Sequence, residues 1–195
     1  MGKVAVIQSG GVPFDADAGT KKAVGLIAEA ADGGARLIVF PEAFIGGYPK
    51  GTTFGAAVGF RTQRGRQEYA RYSAGAITLD GPHVHQLVEA ATDHGAFVVI
   101  GVIERHGNTL YCTALLISPE AGLVGHHRKL MPTGSERLVW GFGDGSTLDV
   151  MDTPLGRAGS VICWENYMPL MRQAMYAKGV DLYCAPTVDD RDSWQ

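Results

Sequence analysis

Cysteine is scarce in this sequence. Cys112, Cys163 and Cys184 stand far apart, and no two form a Cys-x-x-Cys pair. An odd number at wide spacing excludes a disulfide framework and a dithiol redox motif, and it fits reduced thiols. Long apolar runs are also missing, so no stretch reaches the roughly 20 residues of a membrane span. The opening segment runs straight into strand-like Lys3 to Gln8, without the apolar stretch and cleavage site of a secretory signal. Met1-Gly2 begins like an acylation site, but Val6 stands where Ser or Thr is needed. A cytoplasmic location is therefore expected. There is no basic stripe, and Lys plus Arg (17) fall short of Asp plus Glu (20), which argues against a nucleic-acid partner. The close histidine pairs, His83/His85 and His126/His127, lack a cysteine or carboxylate set, so no metal is expected. No repeat, low-complexity linker or shift in composition divides the chain, and residues 1–195 read as a single domain.

What is present is a globular pattern, with 46% hydrophobic and 19% charged residues. Lys3 to Gln8 is read as a strand. Thr20 can cap a helix running to about Ala31, with Ala23, Leu26, Ile27 and Ala30 on one face, and Asp32-Gly33-Gly34 stops it. Leu37 to Phe40 is a buried strand ending at Pro41, which completes one parallel βαβ unit. Residues 43–59 are a Gly-rich loop, and residues 61–72 a surface helix. Gly81-Pro82 opens another helix, with Val84, Leu87, Val88 and Ala91 inward. Ala96 to Val102 is a strong strand, and Thr109 to Ser118 and Leu123 to Arg128 form a hairpin around residues 119–122. A polar loop, 131–146, follows. Short strands are then expected near residues 147–152, 160–163 and 181–185, with a helix from Pro169 to Met175 between the last two. Mixed βα units and hairpins place the fold in the α/β class, with an α+β-like character.

Cys163 lies where a strand gives way to a helix, and a helix N-terminus favours a thiolate. Taken alone, it reads rather as a buried structural cysteine, the reading given to Cys112 and Cys184. Glu42 and Lys129 also follow apolar strands. Side chains at strand ends converge in open α/β sheets. A thiolate, a carboxylate that moves its proton and an ammonium that stabilises charge suit one reaction. Each charge is otherwise an ordinary surface group.

Three separated stretches carry a resemblance: Phe40 to Pro49, His127 to Thr133, and Cys163-Trp164-Glu165-Asn166. Together they resemble the nitrilase branch of the carbon–nitrogen hydrolase superfamily, over essentially the whole chain and in order. The resemblance implies an α-β-β-α sandwich and a catalytic triad of Glu42, Lys129 and Cys163, with Glu136 in support. It also implies a small nitrile and water as reactants, no cofactor, no membrane and a homo-oligomer. The segments Cys163 to Asn166 and Trp140 to Ser146 are similar to those of the nitrile-acting branch. Tyr48, Trp164 and Tyr167 are read as pocket aromatics, against the plain alternative of ordinary packing. Relatives in the family continue further, so the chain is expected to be the N-terminal part of a full-length domain. An amidase using the same triad, and a folded but inactive module, remain the alternatives.

Overall fold

A computed structural model describes residues 2–189. The chain begins with β1 (Lys3–Val6) and β2 (Val12–Pro13), then α1 (Ala16–Asp32) and β3 (Ala35–Val39). The short strands β4 (Ile45–Gly46), β5 (Ala56–Ala57) and β6 (Phe60–Arg61) lead to α2 (Gln63–Ala74) and α3 (Pro82–His94). A long meander follows: β7 (Phe97–His106), β8 (Thr109–Ser118) and β9 (Gly122–Arg128). The last elements are β10 (Val150–Thr153), β11 (Gly156–Ser160), α4 (Pro169–Ala177) and β12 (Leu182–Cys184).

A seven-stranded mixed sheet forms the centre. β1, β3 and β7 run in parallel, and further along β7 the same edge takes β4 and then β2. The other edge of β7 carries antiparallel β8, then β9. A smaller sheet, β10-β11-β12, lies opposite. Alternation along β7 explains the stacking. Val98 and Ile100 face α1 and α3, packing with Ile27, Val84 and Leu87. Phe97 and Val99 face the second sheet and meet Met151, Leu182 and Cys184. On the outer side of that sheet, Met171 and Met175 of α4 cover Val161 and Leu148. Each fully buried side chain of this kind contributes about 1.5–3 kcal/mol. The layer order is α-β-β-α, as expected.

Several boundaries differ from the sequence reading. α1 starts earlier because Asp15, not Thr20, is its cap; the Asp15 carboxylate accepts from the Ala18 N–H at 2.9 Å. Thr20 instead lies buried inside the helix. The 43–59 loop contains β4 and β5, and the 131–146 loop contains a 3₁₀ turn at Gly134–Leu138. The helix read as superficial is α2, and it buries Tyr72 completely. The strand expected to run into Cys163 stops at Ser160, where its pairing with β12 ends. Among the described residues no helix is long and apolar enough to cross a membrane.

Candidate active site

Glu42 sits where the chain leaves the central sheet. Between β3 and β4 the backbone arches over β7: Phe40 N donates to Val99 O, Gly101 N to Pro41 O, and Phe44 N to Gly101 O. The arch lies so close that a Cβ on Gly101 would approach the Glu42 Cα to 2.6 Å, so only glycine fits there. The turn brings Ala43 to φ 51 and aims the Glu42 side chain inward.

Lys129 follows β9 and is tied to β8 by its N–H, which donates to Cys112 O at 2.8 Å. The preceding Arg128 is fixed by a bidentate pair with buried Glu104 and lies over the Tyr111 ring. Lys129 therefore enters the interior in one register. Its Nζ donates to Glu42 Oε1 at 2.6 Å and to Glu136 Oε2 at 2.8 Å. Glu136 comes from the 3₁₀ turn Gly134–Leu138. Its Oε2 also accepts from Thr133 N at 2.6 Å, and its Oε1 from the Tyr48 hydroxyl at 2.7 Å. Glu42, Lys129 and Glu136 are all buried.

Two carboxylates thus share one ammonium away from water. Burial alone raises the Glu42 pKa, Lys129 pulls it down and Glu136 pushes it up again; the net shift is upward. Burial opposes charge on Lys129, but the acidic groups around it (Cys112, Glu42 and Glu136) outweigh burial and raise its pKa. The lysine is held as a cation, and Glu42 accepts a proton more readily than a carboxylate in water.

Cys163 opens a 3₁₀ turn, Cys163–Tyr167, and has φ 52, a left-handed conformation that a non-glycine residue rarely adopts. Its N–H donates to Pro186 O at 2.9 Å and its carbonyl accepts from Asn166 Nδ2 at 2.7 Å. The turn separates it from α4, so the helix terminus expected to favour a thiolate is not next to the sulfur. The thiol is accordingly pushed up to about 12, first by burial and then by the Glu42 charge; Lys129 and the Trp164 N–H only partly offset this. At neutral pH the thiol is therefore held protonated. A nucleophilic role for this sulfur would require a base to take its proton. Glu42→Gln removes an anion that raises this pKa. The variant should lose turnover, yet its Cys163 should be alkylated by iodoacetamide faster than the parent at about pH 9. Mass-spectrometric rates for the Cys163 peptide across pH decide it. A slower variant at every pH would contradict the assignment.

Cys163, Trp164, Tyr48 and Glu136 line a cavity of about 580 Å³, whose outer wall comes from residues 49–56 and from Leu138 and Val139. Tyr48 and Trp164 thus stand in the cavity. Tyr167 does not: it is 60% exposed and stacks on Trp164 with ring centres 5.2 Å apart.

Two residues near the site have roles that the sequence reading did not assign. Cys112, read as core, donates its thiol to Glu42 Oε1 at 3.4 Å. Only the pairing of β8 with its neighbours reveals that contact. Glu165 is buried and accepts from Ile162 N at 2.6 Å. A carboxylate three positions after an N-cap site is a signal that could have found it. His127 is buried against Glu165, and His83 pairs with Asp17. Among the described residues no group of three His, Cys, Asp or Glu side chains is set to hold a metal ion.

Comparison with known proteins gives a consistent result. The family model described as carbon–nitrogen hydrolase matches residues 3–195. An aliphatic nitrilase of Sinorhizobium fredii is 62% identical over 192 residues, which are 98% of this chain and 62% of that protein. A bifunctional nitrilase/nitrile hydratase, NIT4B of Nicotiana tabacum, is 54% identical, covering 99% of this chain and 56% of its own length. The chain therefore spans less than two thirds of these relatives. Among solved structures, the NitN amidase of Nesterenkonia sp. AN1 superposes with a TM-score of 0.76 at 20% identity, over 98% of this chain and 69% of that one. Nit3 of Saccharomyces cerevisiae gives 0.73 at 22% identity, over 97% and 65%. These two likenesses carry the fold.

Proposed function

The chain belongs to the carbon–nitrogen hydrolase family, and from that premise we propose that it hydrolyses a nitrile to a carboxylic acid and ammonia through a covalent intermediate on Cys163. The observation that carries the reading is the buried Glu42–Lys129–Glu136 array, whose Glu136 lines the same cavity as the half-buried Cys163 thiol and whose Glu42 and Lys129 charges act on that thiol. Glu42 Oε1 is occupied by Lys129 and Cys112, whereas among the described residues Oε2 accepts from the Val188 N–H at 3.3 Å. Oε2 is the oxygen left to receive the thiol proton.

In this reading the sulfur adds to the nitrile carbon as Glu42 takes the thiol proton and passes it to nitrogen. The C≡N bond becomes C=N–H in a thioimidate. A water, deprotonated by Glu42, adds to the same carbon, and the protonated nitrogen leaves as ammonia. A second water attacks the resulting thioester, and C–S cleavage frees the acid and the thiol. Lys129 and the Trp164 N–H face the charge that develops at each tetrahedral stage. Every proton is moved by Glu42, Lys129 or water, so the scheme calls on no metal or organic cofactor.

Nitriles are preferred to amides here because the more similar relatives, at 62% and 54% identity, are named as nitrilases, while the amidase likeness is at 20%. The same reading treats residues 1–195 as one domain of a cytoplasmic homo-oligomer. The test is ammonia release from a nitrile and from its matching amide by the same preparation. Faster release from the nitrile is expected. Release from the amide alone moves the assignment to an amidase, and release from neither leaves a folded module.

A further inference from the structure

Glu165 has no part in the scheme above, yet it is one of the best-connected buried charges in the molecule. It is 1% exposed. Its Oε2 accepts from the backbone N–H of Ile162, the residue immediately before the nucleophile, at 2.6 Å. Its Oε1 accepts from the backbone N–H of Leu130, the residue immediately after Lys129. His127 Nε2 lies 3.0 Å from Oε2 and 3.2 Å from Oε1. One carboxylate therefore joins the backbone on either side of the two groups that must meet at the substrate, across two different sheets.

We propose that Glu165 is a positioning residue that sets the spacing between Cys163 and Lys129. This deepens the hydrolase reading and rests on it. The physical reason is the symmetry of the ion. Both carboxylate oxygens accept, and each takes a backbone N–H from a different catalytic segment. An amide offers one acceptor and one donor. In Glu165→Gln, either Ile162 N–H or Leu130 N–H must face an NH₂ group, whichever way the amide turns. A buried N–H left facing a donor is costly, so one segment moves away. Misplacing a reacting group by about 1 Å lowers the rate about a hundredfold. Loosening the Cys163 turn also admits water to the sulfur, which weakens the largest cause of its raised pKa.

The experiment compares Glu165→Gln with the parent in three measurements: near-UV circular dichroism, kcat and KM, and the alkylation of Cys163 by iodoacetamide across pH. The proposal expects a folded variant whose kcat drops about a hundredfold with KM within about twofold. Alkylation at about pH 8 should rise at least tenfold at the same time. Turnover and thiol reactivity then move in opposite directions, which general damage to the fold does not produce. Parent-like kcat and an unchanged alkylation profile in the folded variant overturn the proposal. If Glu165→Gln does not fold, Glu165→Asp is measured in the same way; failure of both to fold assigns Glu165 to the core alone and also overturns it. Should the parent itself release no ammonia, the functional reading fails. The alkylation profiles would still decide whether Glu165 sets the environment of Cys163.

Discussion

Cys163→Ala is expected to release no measurable ammonia from any nitrile, a loss of at least about 10⁵-fold, while unfolding at nearly the parent temperature. The two halves of this result have separate causes. The rate is lost because no other thiol can substitute. Cys112 and Cys184 are buried, and the Cys112 thiol faces Glu42 rather than the cavity. The fold survives because the sulfur is half-buried and the turn is held by backbone contacts to Pro186 and Asn166 that alanine keeps. Alanine at φ 52 is strained much as cysteine is, so the backbone term nearly cancels. Truncation of so small a side chain costs about 1 kcal/mol or less. Ammonia release and a thermal melt check both halves. A variant retaining more than about one hundredth of the parent rate would remove Cys163 from the mechanism.

Lys129→Met is expected to be the most damaging change to the array, because it harms stability as well as rate. It leaves Glu42 and Glu136 buried with the shared cation gone. Removing one partner from a buried ion pair costs about 3–5 kcal/mol. The pH dependence has a definite sign. Lys129 has a raised pKa in the fold, so its stabilising contribution is complete below the unfolded value of about 10.4 and is lost only as pH climbs through the folded value. In the variant, Glu42 loses the group that lowers its pKa, and its already raised value moves higher. A carboxylate shifted in that direction favours folding below its unfolded pKa of about 4.3 and opposes folding as pH rises. The deficit of Lys129→Met should therefore be smaller near pH 5 than near pH 8. Urea unfolding at the two pH values measures it. An equal deficit at both would mean that neither burial nor Glu136 holds the Glu42 pKa up in the variant.

Much of this arrangement is legible in the chain, for physical reasons that also mark where legibility stops. Leu37 to Val39 is an apolar strand and Leu123-Val124 opens another, but Glu42 after Pro41 and Lys129 after Arg128 read alone as ordinary surface charges, and the matching flanks of the resemblance are what single them out. The α/β class follows from helices and strands whose apolar faces can be counted, whereas the α-β-β-α order is an expectation of the family resemblance. The start of α1 was misplaced because Asp15 and Thr20 are both good caps, and only the backbone decides which is used. The setting of Cys163 was misread because residues 161–162 look like strand. Their pairing ends at Ser160, and the turn that follows depends on the Glu165 contact with Ile162. The position of Tyr167 depends on that same turn. Cys112 and Glu165 act through partners distant in sequence, and contacts of that kind become visible only when register is known.

Most of the cavity wall and the reacting groups belong to different parts of the backbone. Glu42 stands on the β3–β4 arch, Lys129 just past β9 and Cys163 on its own turn, while residues 49–54 and Ala56 form much of the wall; Leu138 and Val139 are the exception, since Leu138 shares a 3₁₀ turn with Glu136. Leu138 is 70% exposed and supports little else. Changes in this wall can therefore reshape what enters without disturbing the groups that react with it. Under the proposed function, what enters the cavity and what reacts in it can be altered separately through residues 49–54 and Ala56.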